Sequence, residues 1–148
     1  RSTHFCVGAW GRRVNFGARP WWMNGLFAFC LFMSFVYMPF DFFWKPVAED
    51  QEVWFGILLT GWAAKATEPL HWAIYAAGAW GFWKMRPWMH PWAALYTLQI
   101  AIGMLVWASL DPRAEGQRLL FGVPPFLAFA ALAWLIFRSR ARFGARAG

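Results

Sequence analysis

The sequence predicts an all-α, polytopic integral membrane protein with four transmembrane helices, the second of them kinked, and both termini on the cytoplasmic side. Three observations predict it. The 148 residues are 60% apolar, 22% aromatic and only 14% charged. A water-soluble domain of that composition would have to expose large contiguous apolar patches. Long apolar runs recur along the chain, and its charges segregate to opposite ends of them. All seven acidic residues (Asp41, Glu49, Asp50, Glu52, Glu68, Asp111 and Glu115) follow the first and third runs or open the second. Ten of the fourteen basic residues (Arg1, Arg12, Arg13, Arg19, Lys84, Arg86, Arg138, Arg140, Arg142 and Arg146) lie at the other ends. Lys45, Arg113 and Arg118 fall on the acidic side, and Lys65 lies in or near the membrane.

The first span reads Trp21 to Phe40, long enough for a hydrocarbon core of ~30 Å. A basic arm, residues 1–20, precedes it, and the polar, acidic stretch DFFWKPVAEDQE follows it. The second span is expected over 53–84, kinked at Pro69. Residues 53–64 are apolar on every face, unlike a helix lying in the interface. At 1.5 Å per residue the segment reaches roughly 45 Å, the core plus both headgroup layers. A separate re-entrant segment over 53–64 is the alternative. The third span is expected over 91–110, after the basic turn KMRPWMHP, and the fourth over 119–137, entered through GVPP. A basic arm, residues 138–148, closes the chain and attracts anionic lipid.

The positive-inside bias places both arms in the cytoplasm of a bacterial inner membrane. It also accounts for the net charge of +7 without a nucleic-acid partner. Many of the thirteen Trp sit near the ends of the runs, where an indole buries its ring and keeps its N–H wet. Gly61, Ala73, Gly78, Gly81, Ala101 and Gly103 permit close helix approach. Cys6 and Cys30 have no CxxC or zinc spacing and are not expected to pair. The first run lacks a small-residue cleavage site, so no cleavable signal peptide is expected. The chain opens at Arg1 instead of Met, so further residues are expected ahead of it.

The chemistry-bearing candidates are Asp41, Lys65, Glu68, His71, Tyr75 and Gln99. Lys65, Glu68 and His71 in AKATEPLHW are spaced to share one helix face. Ionisable groups at membrane depth face a bundle interior or a watery cavity. Two readings stand: mutual neutralisation of Lys65 and Glu68 at an interface, or a functional cavity. Asp41 either stops the first span at the water boundary or reaches into a cavity opened by Pro39. Tyr75, Gln99, Tyr96 and Asn24 are expected as interhelical hydrogen-bond partners, each worth about 1 kcal/mol or less. Glu68-x-x-His71 is half of a carboxylate-bridged di-metal pattern. The second half is missing, so no metal site is expected. His71 and His90 are expected as hydrogen-bonding side chains more than as pigment ligands.

Asp41, Trp54-Phe55, Glu68-Pro69, Tyr75-Ala76, Gly78, Lys84-Met85-Arg86-Pro87 and Tyr96 stand in an order that resembles the EXPERA family of emopamil-binding-protein-like membrane proteins, over about residues 35–99. The resemblance implies a four-helix bundle holding a sterol- or lipid-like ligand between acidic side chains and aromatic walls. It implies an isomerase in which a buried acid protonates an alkene and Trp faces stabilise the cation.

The chain displays no complete catalytic set. The function expected from it is a non-enzymatic accessory or structural subunit of a larger membrane complex. Its partners would be membrane lipids and other integral membrane subunits. An EXPERA-like binder or isomerase with a bound apolar ligand near Glu68 is the alternative, and a transporter, lacking repeats and paired broken helices, the third.

Overall fold

The computed structural model describes residues 20–144, and the arginines expected as an N-terminal cytoplasmic arm lie outside the described residues. The chain is mostly helical. The first apolar run forms one helical rod, Trp21–Trp44, made of α1 (Trp21–Phe32), a π-helical stretch (Met33–Tyr37) and α2 (Met38–Trp44). The π stretch lies just ahead of Pro39. A proline supplies no N–H and crowds the carbonyl four residues back, here Phe35. The rod runs four residues past the expected Phe40, so Asp41 falls within it.

α3 spans Trp62–Lys84, α4 Met89–Leu110 and α5 Arg118–Arg138. His90 is extended (φ −99°, ψ 125°), so the regular part of α4 begins at Pro91, a residue suited to a first helical turn. The rod, α4 and α5 are each long and apolar enough to cross a membrane. α3 has the length, at 23 residues, but carries Lys65, Glu68, His71 and Lys84.

The helix expected over 53–84 is corrected at its N-terminal side. It begins at Trp62, with Pro69 inside it, and residues 51–60 form an antiparallel hairpin. β1 (Gln51–Trp54) pairs with β2 (Ile57–Thr60) in the register Gln51↔Thr60 to Trp54↔Ile57. The turn is the dipeptide Phe55-Gly56, with φ +49° and +83°. Two successive positive φ values suit the twist of a two-residue hairpin. Gly56 takes this conformation freely, whereas Phe55 does so against its Cβ. Gln99 offsets that cost: its Oε1 accepts from the Phe55 N–H (3.2 Å) and its Nε2 donates to the Val53 carbonyl (2.8 Å).

Strand alternation makes the hairpin a wedge between two helices. Gln51 and Val53 face α4, where Trp107 Nε1 donates to Gln51 Oε1 (3.0 Å). A Cβ on Gly103 would meet the Val53 side chain at 3.6 Å. Glu52 and Trp54 face α3, where both meet His71. Beyond α4, Asp111 accepts from the Arg113 backbone N–H (2.7 Å) and from its guanidinium, which also donates to Gln51.

α1 packs along α3, and α4 along α5. At the basic end one apolar cluster joins all four helices, with Met23 and Cys30 from α1, Phe82 from α3, Met89 and Ala94 from α4, and Ile136 from α5. Phe143 folds back into it, and the next N–H, of Gly144, donates to the Met85 carbonyl. The described basic residues Lys84, Arg86, Arg138, Arg140 and Arg142 lie at this end, and the hairpin at the other.

Gln99→Leu is expected to lower the unfolding temperature in detergent and to raise amide exchange at Val53 and Phe55, while α5 keeps its protection. Exchange measured by mass spectrometry checks this. Arg113 hydrogen bonds hold the Asp111 carboxyl below its ordinary value of 3.8, against the opposing effect of burial. A depressed carboxylate stabilises above its unfolded value and loses that contribution as the pH falls through its folded value. Asp111→Asn should therefore unfold at lower temperature than wild type at pH 7, and the gap should narrow below pH 3.8.

Candidate functional site

Five ionisable side chains converge where the first rod ends and α3 begins. Asp41 comes from α2 and Lys45 from the residue after it. Asp50 comes from the loop before β1, and Lys65 and Glu68 from the first two turns of α3. Lys45 Nζ lies 3.0 Å from Asp41 Oδ1 and 2.7 Å from Asp50 Oδ1. Lys65 Nζ lies 3.1 Å from Glu68 Oε1 and 3.5 Å from Asp50 Oδ2. It also donates to the carbonyls of Asp41 and Lys45 and sits 5.9 Å from the Phe42 ring centroid. Asp50 is 0% exposed, Glu68 1% and Asp41 3%. The three carboxylates and Lys65 are thus closed to water, Lys45 is half-buried at the edge, and their charges answer one another as buried charges must.

The backbone delivers these groups through short local devices. The π stretch and the turn of helix after it direct Asp41 and Lys45, at i and i+4, toward α3. Pro46 and a 3-10 turn over Val47–Glu49 fold the chain back so that Asp50 lies between the two lysines. The Gly61 N–H donates to the Asp50 carbonyl (3.0 Å), and the Lys65 N–H to the Gly61 carbonyl (3.0 Å). Gly61 holds φ +58°, a conformation glycine adopts without strain.

Carboxylate oxygens of Asp41, Asp50 and Glu68 lie within 4.8 Å of one another, a donor set that suits a hard cation. Lys45 and Lys65 contact these same three carboxylates, so ammonium groups already neutralise the donors a metal would use. Three carboxylates and two ammoniums leave one negative charge. Asp50 Oδ2 and Glu68 Oε2 accept no hydrogen bond among the described residues. One proton shared by this pair would satisfy both oxygens and balance the cluster. Burial alone would raise the Asp50 carboxyl, but hydrogen bonds with Glu68 and Lys45 and the charges of both lysines hold it below its ordinary value. Burial would lower Lys45, yet its bonds to Asp50 and Asp41 raise it.

His71 heads a second, aromatic group. Its Nδ1 lies 2.6 Å from Glu52 Oε2, and its ring stacks on Trp54 at 4.1 Å. Tyr75 and Tyr96 lie 6.5 and 6.1 Å from the imidazole and pack edge to face at 6.0 Å. Here α3 meets α4 just beyond the hairpin.

Of the six residues singled out from the sequence, Asp41, Lys65 and Glu68 thus come together. His71 and Tyr75 form the neighbouring group, and Gln99 is taken up by the hairpin backbone. Sequence reasoning left Lys45, Asp50 and Glu52 out of the site and quoted Trp54 for the EXPERA resemblance, not for the site. The stretch DFFWKPVAEDQE reads as a polar connection and Trp54 as part of the second span, and the one hint is a proline beside Lys45 that turns the chain back.

Comparison with family models, with curated protein sequences and with solved structures gives no match. The resemblance to the EXPERA family therefore rests on the residues quoted for it.

Removing the Lys65 charge leaves three buried carboxylates. Lys65→Met is expected to cost about 3–5 kcal/mol, the range for breaking a buried ion pair. Glu68→Gln, which can donate to Asp50, should cost clearly less. Unfolding in mixed detergent micelles, followed by tryptophan fluorescence, checks the order; equal losses for the two variants would contradict it.

Proposed function

We propose that this chain is a non-enzymatic accessory or structural subunit of a larger assembly in the bacterial inner membrane. In this reading it crosses the bilayer four times, with the hairpin outside and both termini in the cytoplasm. The observation that carries the reading is the pairing of Lys45 and Lys65 with the carboxylates of Asp41, Asp50 and Glu68. Lys65 bonds groups from the end of the first rod, the loop after it and α3, so the cluster fastens chain segments together.

Four crossings are supported by α3, which at 23 residues is about 35 Å long. Its Lys65 and Glu68 turn inward to the cluster and leave apolar and aromatic side chains outside. The orientation is supported by the five described basic residues at one end and the positive-inside bias. What faces outward is a surface rich in aromatic groups, including Phe35, Phe43, Trp44, Trp92 and Trp134. Such a surface suits lipid and the flanks of neighbouring helices.

Native purification in a mild detergent should recover the chain in a complex with other integral membrane proteins, with cross-links to those helices on repeat preparations. Recovery solely as a monomer would overturn the subunit reading. A reporter fused after Gly148 that proves periplasmic would overturn the orientation.

A further inference from the structure

The flank of the α1–α3 pair carries a groove that the ion cluster does not use. It has a volume of about 420 Å³ and is lined by Phe27, Leu31, Phe35, Ala76, Trp80 and Trp83, among others. Its origin is in the helix packing. A Cβ on Gly78 would meet Cys30 Sγ at 3.2 Å, so the two helices approach closely there. Beside that contact Ala76 and Ala79 present little side chain, and the larger rings of α1 and α3 stand up as walls. From Ala76 to Trp83 the groove follows α3 for about 10 Å, a rise of 1.5 Å for each residue.

The mouth of this groove is cationic. The Arg86 guanidinium lies 4.6 Å from the centroid of Trp80, and the Lys84 ammonium 4.0 Å from that of Trp83. These are two of the indoles that line it. Trp88 stacks on Trp80 at 6.1 Å and steadies the platform under Arg86. Neither cation has a carboxylate partner among the described residues. An apolar trough at membrane depth, ending in two unpaired cations fixed on interfacial indoles, has the chemistry of one kind of occupant. We infer that the α1–α3 groove binds an anionic phospholipid of the leaflet at the basic end. One acyl chain lies along Ala76–Trp83 and the phosphate between Lys84 and Arg86. Zwitterionic lipid would fill the trough equally but gain less at the mouth, because its own ammonium is repelled there.

Native mass spectrometry of the full chain in mild detergent tests this, with phosphatidylglycerol and phosphatidylcholine of identical acyl composition added in turn. Wild type should retain phosphatidylglycerol in preference. Lys84→Gln and Arg86→Gln should each lower that retention about fivefold, the effect of one interfacial cation. Ala76→Trp, which fills an exposed part of the trough and leaves both cations in place, should lower it as well. Arg138→Gln with Arg140→Gln, on α5 and beyond it, should leave it unchanged. Equal retention of the two lipids by wild type would overturn the inference. So would full retention by Ala76→Trp, or a loss from the α5 pair as large as that from the groove pair, which would mark a diffuse basic belt. Helical circular dichroism confirms the fold of each variant, and Ala76→Trp decides should the glutamine variants fail to fold.

Discussion

Burying the ammonium of Lys65 is the constraint on which the hairpin end of this protein depends. Taking such an ion out of water costs several kcal/mol even after relaxation, unless close, well-directed partners surround it. Those partners come from separate stretches of chain: carbonyls of Asp41 and Lys45, the carboxylate of Asp50 and that of Glu68. Satisfying one cation therefore ties the end of the first rod, the loop after it and the start of α3 into a single knot. Once Asp50 is held there, its carbonyl receives the Gly61 N–H. The two ends of the hairpin are then closed against each other, and the alternation of β1 sends Glu52 and Trp54 to α3 and Gln51 and Val53 to α4.

The molecule is thus held together by opposite chemistries at its two ends. At the basic end Met23, Phe82, Met89, Ile136 and Phe143 pack as an apolar plug, which depends on shape and close contact. At the hairpin end the fastening is ionic and hydrogen-bonded, with Gln99 and Trp107 of α4 gripping the strand backbone and Gln51. Hydrocarbon weakens the drive for apolar surfaces to meet, since lipid tails are as apolar as leucine, and it leaves polar contacts as the specific ones. The polar end therefore sets which helix faces which. The apolar plug sets how closely they approach.

Much of the helical framework was legible in the sequence, because a run of about twenty apolar residues has few other uses. The rod from Trp21, the regular helix from Pro91 and the helix ending at Arg138 fall close to their expected bounds. The hairpin was not. Both faces of VWFGILLT meet other parts of the protein or its apolar surroundings, so its residues show none of the alternation that marks a half-buried strand. Phe-Gly is also a weaker turn signal than Asn-Gly. The site was legible in part. Lys65, Glu68 and His71 announce themselves by helical spacing, which is a local property. Lys45, Asp50 and Glu52 acquire their roles only when the loop folds back, a tertiary event that no spacing encodes. Gln99 looked like one more polar group in a span, and its two bonds to the Val53–Phe55 backbone exist only because the turn is there.

The π-helical stretch Met33–Tyr37 has a geometric effect beyond its own five residues. A π-bulge amounts to one residue added to a regular helix, and one residue is about 100° of rotation around the axis. Everything downstream, from Met38 to Trp44, is thereby turned by more than a quarter circle relative to α1. That rotation lets a single rod show Cys30 and Met23 to the apolar plug at one end and Asp41 to Lys45 and the head of α3 at the other. Straightened into a continuous α-helix, the same rod would carry the Asp41 carboxylate around toward the acyl chains, with its cationic partners left behind.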